Sequence, residues 1–147
     1  MKCIDVSSNE ITHEGAITIA EKSVLKNLEV LDLRNNKISN SGFQSIINST
    51  LYPKIRDVRL DINKVQEVGA KQLTYSCNLE TLEKLSIRGN HFGEKGCLFV
   101  QVYALRNLMV LNMSRNDIKD EGVANLAGAS YLRNLTKLYI DDNNLTA

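Results

Sequence analysis

Tryptophan is absent, proline occurs once, at Pro53, and there are three cysteines, Cys3, Cys77 and Cys97. An odd cysteine count without paired spacing argues against a disulfide framework and for a reducing compartment. With a single proline and no Gly- or Ser-rich stretch, no linker divides the chain, so residues 1–147 are expected to form one domain. Charge of one sign is missing as well: 18 basic and 17 acidic residues leave a net charge of +1, and the two signs are interleaved. That excludes the basic footprint of a nucleic-acid or anionic-membrane binder. No apolar run approaches the roughly 20 residues of a membrane span. The opening MKCIDVSSNEITHEG already belongs to the pattern described next, so no signal peptide is expected.

What is present is a repeat. Leu28 to Asn36 reads LEVLDLRNN, followed by Ile38 and Gly42. The same spacing starts at Met1, Leu28, Ile55, Leu82, Leu108 and Leu135, at intervals of 27 residues, and 26 once. Position nine is always asparagine: Asn9, Asn36, Asn63, Asn90, Asn116 and Asn143. Position fifteen is glycine in each of the first five units, Gly15, Gly42, Gly69, Gly96 and Gly122. Positions four and six are apolar, as in Leu31/Leu33 and Leu85/Ile87. A fixed period of this kind sets the architecture before any other reading.

With these residues in hand, the chain resembles a leucine-rich repeat protein. The late glycine and a helical second half to each unit resemble the ribonuclease-inhibitor type. That inhibitor alternates two repeat types, one with Cys in place of Asn, whereas every unit here carries Asn. The resemblance therefore implies the architecture and not that protein's activity. It implies an α/β fold: a right-handed solenoid in a horseshoe arc, with a parallel β-sheet on the concave face and α-helices on the convex face.

Each half-unit has its own physical reason. L-x-L alternates with polar residues, the mark of a strand with one buried face. The asparagine amide, with two donors and an acceptor, can satisfy turn backbone that would otherwise be buried unpaired. Ser39, Asn40 and Asp120 are expected to cap helices. The one-residue deficit of the fourth unit falls between Val100 and Leu105 and is expected inside that unit's helix.

In such an arc, positions three, five and seven point into the concave space, about 4.8 Å from row to row. Column three reads Cys3, Val30, Asp57, Lys84, Val110, Lys137; column five reads Asp5, Asp32, Arg59, Ser86, Asn112, Tyr139; column seven reads Ser7, Arg34, Asp61, Arg88, Ser114, Asp141. Asp32 is thus expected beside Arg59, Asp57 beside Lys84, and Asp61 between Arg34 and Arg88. These charges read either as a recognition patch for a polar segment of a partner protein or as cross-strand ion pairs that keep the sheet soluble, each contributing roughly 0.2–1 kcal/mol. The turn row beside them holds Asn35, Ile62, Arg115 and Asp142. Tyr139 is the leading anchor, because Tyr and Arg dominate interface energetics.

Catalytic and metal chemistry find no foothold. His13 and His91 lie in different units without ligand partners at metal spacing. Cys97 reads as a small core residue and Cys77 as structural. Cys3-Ile4-Asp5 matches the C-x-D string of bacterial ubiquitin ligases that carry leucine-rich repeats, but there the string sits in a separate helical domain, and here it is a repeat strand. A regulator of small GTPases built from the same repeats depends on an extended acidic segment, which this chain lacks. Four glycosylation sequons, at Asn48, Asn112, Asn134 and Asn144, are expected as chance matches in an Asn-rich chain.

The expected function is a non-enzymatic protein-binding scaffold, without metal or cofactor. Its partner-binding residues on the concave side are Asp32, Arg34, Asp57, Arg59 and Asp61, with Lys84, Arg88, Asn112, Arg115 and Tyr139. No nucleic acid or membrane is expected as partner. Localisation is expected to be cytoplasmic, with secretion into a host cell as a bacterial effector as the alternative. The alternative function is the recognition module of a larger enzyme or receptor, since neither end carries a polar capping repeat. Charges at both outer strands, Lys2 and Asp5 at one and Lys137 and Asp141 at the other, argue for a monomer or a weak closed dimer.

Overall fold

The computed structural model describes residues 1–22, 24–76 and 78–146. Six short strands form one parallel sheet in chain order: β1 (Cys3–Asp5), β2 (Val30–Asp32), β3 (Asp57–Arg59), β4 (Lys84–Ser86), β5 (Val110–Asn112) and β6 (Lys137–Tyr139). Register is the one the repeat requires, pairing Asp32 with Arg59 and Asp57 with Lys84. Between strands the chain crosses the far side through α1 (His13–Lys22), α2 (Ser39–Asn48), α3 (Glu67–Ala70), α4 (Gly93–Gly96) and α5 (Lys119–Ala127). The result is an α/β leucine-rich-repeat solenoid.

The core runs the length of the coil. In the four inner units, positions four, six and eleven are buried, among them Leu31, Leu33, Ile38, Leu60, Val65, Ile87, Phe92, Met113 and Ile118. Phe43, Phe92 and Phe99 form an edge-to-face chain through it, with centroids 5.7 and 6.0 Å apart. The end units differ because each has a neighbour on one side only. Ile4, Val6 and Ile140 are partly buried, and Leu138 is 40% exposed.

The convex side departs from the expectation of a helix in every unit. In the third and fourth units a single α-turn passes into 3₁₀ helix, at Lys71–Tyr75 and Cys97–Gln101, with a further 3₁₀ turn at Tyr103–Leu105. A 3₁₀ segment rises about 2.0 Å per residue against 1.5 Å in an α-helix. The fourth unit can therefore cover the same distance with one residue fewer.

The expected helix caps are also reassigned. Neither α2 nor α5 has a side-chain cap. The Asn40 Oδ1 instead accepts the Gln66 amide of the next unit at 2.8 Å, and Asp120 accepts the Thr146 amide and hydroxyl. These side chains tie neighbouring units together. Cys77 lies outside the described residues. Cys97 is buried, as expected of a core residue, and burial pushes its thiol up to about 12.

Glycine at position fifteen allows the convex segments to close on each other. A Cβ on Gly42 would come within 2.6 Å of Ile38 Cγ2 and 2.9 Å of Ala16 Cβ in the preceding helix.

Candidate functional site: the concave face and its rim

The scaffold beneath the face is the asparagine ladder. The Asn63 Nδ2 donates to the Leu60 and Asp61 carbonyls of its own turn and to the Leu33 carbonyl of the preceding unit, while its Oδ1 accepts the Ile38 amide. Asn36, Asn90 and Asn116 repeat this set, and Asn143 reaches back to Met113 in the same way. Asn9 differs: it is exposed, and it donates only to Val6 and Ser7 of its own turn. The ladder thus joins units to one another as well as closing each turn.

On that scaffold the three concave columns stand in register, but the charges pair differently from the column reading. Asp32 is 2% exposed. It accepts three bonds of 2.6–2.9 Å from the Arg34 guanidinium two residues along, and Arg59 of the next strand lies 3.5 Å away. This Asp32–Arg59 contact is the expected cross-strand pair. Asp57 is buried too, and its partner is Arg59 of its own strand, at 2.8 Å, rather than Lys84. Residues i and i+2 share a face of a strand, and the planar guanidinium fork matches a carboxylate in two places where an ammonium offers a point charge. These bonds to Asp32 and Asp57 hold Arg34 and Arg59 above the usual arginine range.

Asp61 pairs with neither arginine of its column. It accepts the Ser86 hydroxyl at 2.5 Å and the Arg88 amide at 2.7 Å. Burial raises its pKa, against the lowering effect of those two bonds. Asp5, by contrast, is held below the usual carboxylate range by its bond with Ser7. Asp32 and Asn112 repeat the local turn, each accepting the amide two residues on, at Arg34 and Ser114.

The face is therefore sorted by depth. Asp32 and Asp57 are sunk into the wall, and Asp61 is turned into the next strand. Lys84 is exposed, and among the described residues no carboxylate lies within 4.0 Å of the Lys84 or Arg88 side-chain nitrogens. Two depressions result. One is lined by Asp57, Arg59, Lys84, Ser86, Asn112 and Tyr139, the last 46% exposed. The other lies on the rim, lined by Ser7, Ser8, Arg34, Asn35, Asp61, Ile62 and Arg88. Arg115 stands on the same rim, paired with Asp142 at 3.0 Å. Ser7, Ser8 and Ser86 were not among the expected site residues, because their role comes from where neighbouring units place them.

The rim has its own backbone geometry. Position eight is left-handed in every unit, at Ser8, Asn35, Ile62, Gly89, Arg115 and Asp142 with φ between 54° and 67°. On the opposite edge of the coil Tyr103 meets Tyr131 edge-to-face at 5.4 Å, and Arg106 lies 4.2 Å over the Tyr103 ring while pairing with Glu80.

Among the described residues no group of His, Cys, Asp and Glu is placed to hold a metal ion, and no helix is long and apolar enough to cross a membrane. His13 and His91 are both exposed. A search of curated proteins returns no match. The family model for the leucine-rich repeat matches residues 1–20, 24–46, 78–99 and 104–127. Those segments cover more than half of the chain and coincide with strand-and-turn units of the solenoid, so the chain belongs to the leucine-rich repeat family, whose repeats are generally protein-interaction modules.

Proposed function

We propose that this chain is a non-enzymatic scaffold that binds a partner protein through the concave face and its rim. The observation that carries the reading is the sorting by depth. A sheet locked by the asparagine ladder buries Asp32 and Asp57 at its centre and leaves Lys84 and Tyr139 exposed, with Arg88 half-buried and without an ion-pair partner among the described residues. Such a surface is pre-organised, so little ordering entropy is lost when a partner arrives. Tyr and Arg are among the side chains that most often supply interface energy.

The test is affinity capture with the parent chain and with Arg34→Glu/Arg88→Glu. Partners held by the parent should be lost by the variant. Equal capture by both, and by Lys84→Ala/Tyr139→Ala, would remove the concave site.

The finer parts of the reading rest on the same features. The subtype is ribonuclease-inhibitor-like, and one domain spans 1–147. The compartment is reducing, cytoplasmic or that of a host cell. Free Cys3 and buried, free Cys97 support this. The chain is a monomer, or at most a closed dimer, as light scattering across a concentration series would reveal. Open-ended growth would exclude that state.

A further inference from the structure

Ile62 breaks the rule of its row. The other five residues at this position are serine, asparagine, glycine, arginine and aspartate. A β-branched residue at φ 54° is a genuine outlier, because its branched Cβ crowds the backbone in the left-handed region. Its side chain is also 53% exposed, so burial in this chain does not offset the strain. Strain retained without internal return clusters at ligand clamps and binding sites.

The surroundings specify the ligand. Ile62 lies over Gly89, where an added Cβ would come within 3.0 Å of Ile62 Cγ1, so the floor beside it is bare backbone. Arg34 stands one strand before it and Arg88 one strand after, all lining one depression. The two arginines are thus two strand spacings apart, about 10 Å. Arg34 keeps a side chain that is 44% exposed above Asp32, and Arg88 has no ion-pair partner among the described residues. Asp61, between them, directs its carboxylate to the Ser86 hydroxyl and the Arg88 amide.

Resting on the concave-face reading above, we propose that the rim depression at Arg34, Ile62 and Arg88 receives an extended acidic segment of a partner protein, with an apolar side chain docked on Ile62 and Gly89 and carboxylates on the two arginines. An extended chain advances about 3.3 Å per residue, so the acids lie about three positions apart and bracket the apolar residue. A nucleic acid fits less well: among the described residues no aromatic ring lines the depression for base stacking, and the charges alternate rather than mass.

The experiment is to pan a display library of random short peptides on the full chain and to synthesise the enriched sequences. Enriched peptides should pair an aliphatic or aromatic residue with flanking Asp or Glu and bind more weakly as salt rises. Affinity should fall about tenfold in Ile62→Asn and again in Arg88→Gln. Asparagine suits the backbone, as Asn35 shows, so loss of binding is not loss of fold. Peptides that lack acids, or that bind Ile62→Asn and Arg88→Gln as the parent does, overturn the proposal. If those same peptides are lost with Lys84→Ala or Tyr139→Ala, the concave reading stands without the rim site; indifference to all four variants removes both. A single-stranded oligonucleotide bound as tightly as the enriched peptide also overturns it, leaving a general polyanion site.

Discussion

The Asp32 carboxylate accepts a forked grip from Arg34, with Nη2 at 2.6 Å and Nε at 2.9 Å, while itself remaining 2% exposed. It also accepts the Arg34 amide at 3.1 Å and faces Arg59. Removing it leaves the Arg34 amide and guanidinium short of their acceptor, while Arg59 keeps Asp57. Asp32→Ala should therefore destabilise by about 1–3 kcal/mol, and Asp32→Asn, which keeps an acceptor for the amide, by less. Urea denaturation of both variants checks the order, and an alanine variant as stable as the parent would contradict the role given to this carboxylate.

The asparagine ladder predicts a gradient along the chain. Asn63→Ala should cost about 1–3 kcal/mol, because carbonyls of two units lose a buried donor. Asn9→Ala should cost far less, since Asn9 is exposed and bonds only within its own turn. Melting curves of the pair decide the matter, and similar losses at both sites would count against an inter-unit ladder.

Close approach at Gly42 gives a packing prediction. A methyl group there meets both Ile38 and Ala16 inside normal contact distance, so Gly42→Ala should destabilise by about 1–3 kcal/mol despite alanine's better helix propensity. A gain in stability would mean that neighbouring helices separate without loss.

Asp61 carries a pH prediction of unusual sign. Burial raises its pKa in the folded chain, so the folded state binds its proton more readily than the unfolded state does. Stability from this group is therefore fully present below the unfolded carboxylate pKa and is lost as pH rises through the raised folded value. Asp61→Asn should be more stable than the parent at pH 7, and the gap should close in acid. Denaturation midpoints across that range test it, and a gap that widens in acid would reverse the assignment.

The sequence by itself determined the period, the strand register, and the asparagine and glycine positions. Each follows from a repeat in which one local pattern of apolar, amide and glycine residues is reused, so a residue's place in its unit fixes its environment. Two kinds of feature were decided only by tertiary structure. The first is which charges meet. Register set Asp57 beside Lys84, but a short carboxylate with a guanidinium two residues along the same face chose Arg59. The second is which unit a polar side chain serves. Asn40 and Asp120 read as helix caps, yet each is the second residue of its helix and bonds forward to the next unit, because stacked coils bring that unit's backbone within reach. Depth, too, comes from stacking. Asp32 and Asp61 are the same residue type on the same face, but one lies beneath an arginine fork and the other is turned into a neighbouring strand. A linear pattern carries no record of that difference, since it arises from side-chain lengths in three adjacent units at once.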